Sequence, residues 1–249
     1  MTAATTVGAV RILGAAFFST HHASAGDLLA GRERPLTLPS YGLLVGRARR
    51  FTSLVTQLHL EVCGALHGGA AAPPIAVFAT CHGEIQTAAK LIADFHEASV
   101  VSSARFALSV HNTASGMYSV AVGSTAPTTT VTGGNAIAAG WLEASLTVLD
   151  TGQTVLLSIA DEPVPAAFHG PAGLIGLAAG FLLGPESSTG RRVELAIAPD
   201  AAEPEVDAGQ VLARGVSAWI GAAPATVTLG RIQVGAMLEL RFAAEGVAA

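Results

Sequence analysis

The sequence contains few charged residues and few cysteines. The charge content argues against a nucleic-acid-binding protein, and the cysteine content argues against a disulfide-rich or metal-binding one. Charged residues make up 12% of the chain, well below the roughly 25% of an average soluble domain. The net charge is −5 and no cluster of one sign is present, which argues against nucleic-acid binding. The two cysteines, Cys63 and Cys81, form neither a disulfide framework nor a metal-binding set. We therefore expect no metal site and no cofactor.

The sequence also lacks a segment suited to crossing a membrane. The stretch Phe168–Gly184 is largely apolar but is interrupted by glycine and proline, and it is too short for a bilayer core of roughly 30 Å. We predict a buried strand flanked by turns there. No basic-then-apolar signal peptide opens the chain, and the apolar Val7–Phe18 is better explained as a first strand. These features predict a cytoplasmic protein without membrane insertion.

Apolar residues are abundant, at 51% of the chain. Because the chain has so few charged residues, they cannot cover the whole protein surface. Either a partner buries one face, or the exposed surface is rich in alanine, threonine and serine. Because large exposed apolar patches mark interaction sites, we favour an obligate partner. Enrichment of alanine and glycine in a GC-rich genome is the alternative.

Hydrophobic patterns predict strands alternating with helices. The apolar run Ile75–Ala79 is typical of a strand buried on both faces, and glycine and proline end the helix before it. The predicted strands are Val10–Phe18, Ile75–Ala79, Thr128–Thr132, Val155–Ala160, Leu174–Leu183, Val193–Ala198 and Ile232–Phe242. The predicted helices are Phe51–Leu66, Gly83–His96, Val110–Val122 and Ala136–Leu149, and Pro199–Glu205 is the best candidate for a flexible loop. This alternation predicts a parallel-dominated α/β sheet between helices, in a single domain over residues 1–249.

The most informative segment runs from a helix at Ser109–Val120 through a Gly-x-x-x-Pro turn at Gly123–Pro127 to a strand and a glycine turn at Val131–Asn135. Together with the sequences FATCHGE (78–84), FALSVHN (106–112) and ADEP (160–163), this segment resembles the N-terminal half of β-ketoacyl synthases of the thiolase-like superfamily. More closely, it is similar to the short ketosynthase-like chain-length factors of aryl-polyene and related type II polyketide systems. The resemblance implies a thiolase-like layered α-β-α fold, in a reduced version with one main sheet.

The resemblance also implies that the chain has lost its catalytic residues. Counted from Pro127 without a gap, the family's nucleophilic cysteine falls on Asn135, and asparagine cannot form a thioester. The family's H-G-T and K-x-x-x-G-H histidine motifs are missing, since His169-Gly170 continues as Pro-Ala. Asn135 has two compatible interpretations: it fills a vestigial acyl pocket and bonds the amides of the turn, or it tolerates a left-handed turn conformation.

Two further groups invite a catalytic interpretation, and each has a simpler one. Cys81 precedes His82, but successive side chains of a strand point to opposite faces, and free cysteine is commonly buried. A structural role is therefore favoured for Cys81, as for Cys63 within its helix. Asp161 and Glu162 form an adjacent carboxylate pair, which a strand end turning at Pro163 explains more simply than acid–base catalysis.

The remaining site residues follow from the resemblance. Phe106 falls where ketosynthases present an aromatic side chain across the dimer axis into the partner's acyl tunnel, with an ordinary core phenylalanine as the alternative. Met117 and Tyr118 would line the same passage. His111 and Asn112 fall in the dimer-interface segment, where plain helix capping is the alternative for Asn112.

The resemblance implies a non-catalytic subunit that forms a heterodimer with an active ketosynthase, helps to shape its acyl tunnel and works on chains delivered by an acyl carrier protein. One alternative is a stand-alone condensing enzyme or acyltransferase that uses Cys81, or a water held by Asn135. Another is a homodimeric acyl-binding or scaffold protein.

Overall fold

The computed structural model describes residues 4–40, 42–44, 46, 52–67, 73–168, 175–199, 208–221, 223–233 and 236–243. The strands are β1 (Thr5–Ser19), β2 (Ile75–Thr80), β3 (Thr128–Thr132), β4 (Val155–Asp161), β5 (Leu177–Gly184), β6 (Arg191–Pro199), β7 (Ala225–Gln233) and β8 (Ala236–Phe242). The helices are α1 (Ala25–Leu29), α2 (Leu54–His67), α3 (Ile85–Ala98), α4 (Ser103–Phe106), α5 (Thr113–Val122), α6 (Ala136–Thr151) and α7 (Ala208–Ile220).

The predicted elements are confirmed with small shifts, except near the C-terminal end. There, the single strand predicted over Ile232–Phe242 is the hairpin β7–β8, which begins at Ala225. Neither β7 nor α7 was predicted. The predicted loop Pro199–Glu205 lies outside the described residues from position 200 onward.

The described strands form one eight-stranded sheet with the order β3-β2-β4-β5-β1-β6-β8-β7. The prediction of a mainly parallel sheet is wrong, since parallel pairing is confined to β3, β2 and β4. The other neighbours pair antiparallel. Parallel neighbours need a crossover connection, usually a helix. Helices α3 to α6 supply the crossovers between β2, β3 and β4, whereas no α-helix lies between β4 and β5 or between β5 and β6 in the described chain.

The sheet lies between two layers of helices because its strands are buried on both faces. Val77 and Leu157 face α6 and α7 in the larger core cluster, while the alternate residues Phe78 and Leu156 face α2 and α5. Helix α6 lies so close to the sheet that a Cβ at Gly140 would be 2.7 Å from the Cβ of Ala79. This three-layer packing holds the ends of β2, β3 and β4 in fixed positions.

Candidate functional site

The carboxyl ends of the three parallel strands meet at one edge of the sheet, where α/β proteins commonly bind ligands. Strand β2 ends at Thr80, β3 at Thr132 and β4 at Asp161. A cavity of about 480 Å³ opens at this edge. It is lined by Cys81, His82, Gly83, Glu84, Ile85, Ala88, Ser109, Val110, His111, Thr132 and Gly133. We refer to this cavity as the strand-end site.

Asn135 lies beside the strand-end site, at the first turn of α6. The predicted strand, glycine turn and helix are all present, and Asn135 occupies the N-cap position. Its φ is −103°, whereas Gly133 carries the positive φ of +111°. The explanation that Asn135 tolerates a left-handed turn is therefore wrong. Its side chain is exposed and makes no capping hydrogen bond to the helix.

Cys81 is held in a protonated state by its surroundings. Its backbone N–H donates to Asp161 Oδ1 at 2.9 Å, and the Thr80 hydroxyl donates to the same oxygen at 2.8 Å. Burial, together with the neighbouring charge of Asp161, raises the pKa of the Cys81 thiol to about 12. A catalytic cysteine needs the reverse, a thiolate stabilised by positive surroundings. The His82 Nδ1 lies 3.8 Å from Asp161 Oδ1, so the ring contacts the carboxylate that also binds the Cys81 backbone.

Glu162 points away from Asp161 and joins the starts of two helices. It is 2% exposed and accepts the backbone N–H of Val55 in α2 at 3.1 Å and of Gln86 in α3 at 2.9 Å. Burial, with the charges of Glu84 and Asp161 as smaller causes, raises the pKa of Glu162 to about 7. The two carboxylates thus make separate sets of hydrogen bonds at the end of β4.

Glu84 lies just before α3 and is buried in the same region. It accepts hydrogen bonds from the Thr56 hydroxyl at 2.6 Å and from the Thr87 hydroxyl at 3.2 Å. Burial raises the pKa of Glu84 as well. Nothing in the sequence pattern distinguishes Glu84 or Glu162 from surface carboxylates, because their burial depends on how α2 and α3 pack.

A larger cavity of about 900 Å³ lies among α2, α3, α4 and α5. Met117 lines it, as do Arg105 and Ala107, the neighbours of Phe106, while the Phe106 side chain is 61% exposed. The alternative that Phe106 is a core residue is therefore wrong. Lys90 and Glu162 supply the charged groups on the α3 and β4 sides of this cavity.

Tyr118 lies elsewhere, although it follows Met117 in the same helix. Its side chain is fully buried, and its ring centroid lies 5.7 Å from that of Phe78 in the core. The structure therefore does not bring Met117 and Tyr118 into one passage; Tyr118 lines a separate cavity at the opposite edge of the sheet.

His111 and Asn112 are both exposed near the start of α5. His111 lines the strand-end site, where its Cβ would lie 3.4 Å from a Cβ at Gly83. Asn112 occupies the N-cap position of α5 but makes no side-chain capping bond. The predicted side-chain cap is therefore not formed, which leaves the Asn112 amide open to other contacts.

Several large apolar side chains are exposed within one part of the chain. They lie on α3, α4, α5 and the segments between them, and we call them the α3–α5 apolar face: Ile92, Phe95, Val100, Val101, Phe106, Val110 and Val120. Strand β3 forms the adjacent edge of the described sheet, and its threonine-rich sequence is largely exposed. Composition indicated such a face, but its position depends on the packing of the three helices.

Among the described residues, no three histidine, cysteine, aspartate or glutamate side chains come close enough together to hold a metal ion. None of the described helices has the length and apolar character needed to span a bilayer. His169 lies outside the described residues.

Residues 36–222 match the family described as "Beta-ketoacyl synthase, N-terminal domain", and the chain belongs to this family. The structure is similar to that of a ketosynthase (ApeO) in complex with its chain length factor (ApeC) from Xenorhabdus doucetiae, at 17% identity and a TM-score of 0.72. That alignment covers 93% of this chain and 98% of the other. The ishigamide ketosynthase/chain length factor aligns at 13% identity and a TM-score of 0.71, covering 96% and 100%.

A β-ketoacyl synthase from Burkholderia phymatum aligns less completely, at 11% identity and a TM-score of 0.59, over 85% of this chain and 71% of the other. A comparison with curated protein sequences gave no match. The predicted thiolase-like fold is thus confirmed. Its reduced size is shared with the first two structures, because those alignments span nearly the whole of both chains.

Proposed function

We propose that this chain is a non-catalytic subunit that pairs with an active β-ketoacyl synthase and helps to shape the acyl tunnel of the pair. The observation that carries the proposal is Asn135 at the N-cap of α6, where counting from Pro127 would place the family's nucleophile. The Cys81 thiol, which lines the strand-end site with Thr132 and Gly133, is a poor replacement for that nucleophile because its pKa is raised to about 12. A polyketide, aryl-polyene or fatty-acid-type pathway would supply the acyl chains on an acyl carrier protein.

The surface that would bind the ketosynthase is the open edge of β3 together with the α3–α5 apolar face. An open strand edge offers unpaired backbone groups that pair readily with a second strand. Obligate interfaces are apolar at the centre and usually exceed about 2,000 Å². Val120 is the most exposed large apolar side chain of this face, at 78%, and it lies on α5, which packs against β3.

Val120→Asp tests this surface directly. A carboxylate buried at an apolar interface without a partner costs several kcal/mol, so we expect affinity for a partner ketosynthase to fall at least tenfold. The matched control is Ile220→Asp. Ile220 is 70% exposed but lies at the end of α7, which packs on β1, β5 and β7 toward the other end of the sheet.

The measurement is size-exclusion chromatography with light scattering, followed by titration of the purified subunits. We expect the Ile220→Asp control to form a stable heterodimer with the ketosynthase and Val120→Asp not to form it. The proposed interface is contradicted if the chain stays monodisperse and monomeric when it is mixed with the ketosynthase. It is also contradicted if both variants form the complex equally well.

Catalysis would lie in the partner. Purified alone, this chain should form no condensation product from acyl and malonyl carrier proteins, whereas the complex should. Product formed at a normal rate by the isolated chain would contradict the proposal and favour a stand-alone enzyme.

A further inference from the structure

Helix α4 (Ser103–Phe106) has no buried residue to hold it in place. It is four residues long, and all four residues are exposed. An isolated helix this short is unstable in water, so its order depends on the contacts that tie it to the rest of the chain. That order matters because Phe106 is the last residue of the helix.

The backbone hydrogen bonds of α4 lie within its own segment. The backbone N–H of Phe106 donates to the carbonyl of Ser102 at 2.9 Å. The backbone N–H of Ala107 donates to the carbonyl of Ser103 at 3.0 Å. The Ser102 hydroxyl also accepts the backbone N–H of Arg105 at 3.4 Å. These bonds shape the helix but do not fix it against a neighbour.

One ion pair ties α4 to another helix. Arg105 Nη1 donates to Asp94 Oδ2 of α3 at 3.0 Å, and α4 packs beside α3. Within the described part of the chain, no other side-chain hydrogen bond or ion pair joins α4 to a different element. Helix α3 is itself firmly placed, since Leu91 is buried and its first turn donates hydrogen bonds to Glu84 and Glu162.

The pair is exposed, with 53% of the Arg105 side chain and 37% of the Asp94 side chain accessible. Exposed ion pairs are individually weak and are screened by salt. A weak contact is enough here, because segments without buried contacts open locally at little cost in free energy. The energy of one ion pair can therefore decide how much of the time α4 is formed.

We propose that Asp94 is a positioning residue for Phe106. By holding the Arg105 guanidinium against α3, it keeps α4 formed and so fixes the place of the neighbouring aromatic ring on the α3–α5 apolar face. This role rests on the proposed subunit function, in which Phe106 faces the acyl tunnel of the partner. A ring held in one place ends the tunnel at one length, whereas a ring on a mobile segment ends it at several.

The first test needs only the isolated chain. The amides of Phe106 and Ala107 donate the backbone bonds of α4, so their hydrogen exchange, measured by NMR, reports its opening. We expect both amides to exchange about two- to fivefold faster in Asp94→Asn, the loss that an exposed ion pair implies. Glu97→Gln removes an exposed carboxylate from the same end of α3 and should leave both rates unchanged. The double variant Asp94→Arg/Arg105→Asp reverses the pair and should restore the parent's rates.

The second test measures product length by mass spectrometry in the complex with the ketosynthase. We expect Asp94→Asn to broaden the distribution of chain lengths and the reversed pair to narrow it again. If Asp94 served stability alone, its replacement would lower the amount of product without broadening the distribution.

The two tests separate the role of Asp94 from the subunit function. Equal exchange in the parent and Asp94→Asn overturns the role of Asp94, whether or not a complex forms. Faster exchange with an unchanged product distribution in an active complex overturns it as well. If exchange changes as expected but the parent forms no complex, the subunit function is contradicted and with it the place of Phe106 in the tunnel, while the ordering of α4 by Asp94 stands.

Discussion

At the scale of single residues, the two neighbouring carboxylates at the end of β4 stabilise two different parts of the chain. Asp161 accepts the backbone N–H groups of Cys81 and His82 and so fixes the turn after β2. Glu162, on the other side, accepts one N–H each from the starts of α2 and α3. The positive ends of helix dipoles favour a carboxylate there, while burial disfavours its charge. Burial is the larger effect, because the pKa of Glu162 is raised to about 7.

Glu162 should therefore make stability depend on pH. Its ordinary pKa is 4.5, so between pH 4.5 and 7 the folded chain binds more protons than the unfolded chain, and the free energy of unfolding falls as pH rises. The difference between the two pKa values of Glu162 corresponds to a change of about 3 kcal/mol in the free energy of unfolding. We expect Glu162→Gln to remove most of this fall in urea denaturation series from pH 4 to 8. Glu97→Gln, at an exposed site on α3, is the control, and equal slopes for both variants would count against the assignment.

Cys81 should tolerate replacement. Its raised pKa excludes a thiolate near neutral pH, so Cys81→Ala should leave the activity of a complex with the ketosynthase within a few-fold of the parent. A loss of a thousandfold, about 4 kcal/mol in the barrier, would restore the enzyme interpretation. Melting curves of the variant separate lost folding from lost chemistry.

Sequence reasoning reached some of these residues and missed others, for physical reasons. Asn135 was placed correctly at the turn before α6 because strand, glycine turn and helix follow one another locally. Phe106 and Tyr118 are both aromatic residues in the same part of the chain, yet one is exposed and the other fully buried. The packing of α5 against the sheet buries Tyr118, whereas Phe106 lies on α4 and stays exposed. The burial of Glu84 and Glu162 likewise depends on packing.

At the scale of elements, local periodicity located helices and strands well where they are regular. It failed at β7, where Gly230 has a φ of +138° and the pairing register shifts between Thr228 and Gly230. That irregularity breaks the alternation by which a strand is recognised. Helix α7 did carry a signal, since Val211, Leu212 and Val216 are apolar at helical spacing and are buried.

The close contact between α6 and β2 gives a prediction with an internal control. A Cβ at Gly140 would lie 2.7 Å from the Ala79 Cβ, whereas a Cβ at Gly116 in α5 would meet nothing within 4 Å. Gly140→Ala should therefore destabilise the chain by about 1–3 kcal/mol through overpacking. Gly116→Ala should stabilise it by about 0.5–1 kcal/mol through helix propensity. Urea denaturation measures both; a stabilising Gly140→Ala would show that α6 can move away from the sheet.

At the scale of the whole molecule, the two ends of the sheet differ. The β3 end has an open edge beside the α3–α5 apolar face. On the strands toward the other end, charged side chains form ion pairs, including Arg192 with Glu194 at 2.6 Å and Arg241 with Glu239 at 2.9 Å. An ion pair is also present on the helices that carry the α3–α5 apolar face, between Arg105 and Asp94 at 3.0 Å, so the surface proposed to bind the ketosynthase combines exposed apolar side chains with a charged pair.

Phe106 gives the most specific consequence of that arrangement. Its exposed ring lies on the proposed interface, beside residues that line the cavity containing Met117. If it closes the partner's acyl tunnel, Phe106→Ala should make room for longer chains, because each further methylene that is buried contributes about 0.8 kcal/mol. We expect products shifted to greater length by mass spectrometry, with the first condensation rate nearly unchanged and Ile220→Ala as the control. Since the ring is exposed, stability should change by less than about 0.5 kcal/mol. An unchanged product distribution in a folded, active complex would remove Phe106 from the tunnel.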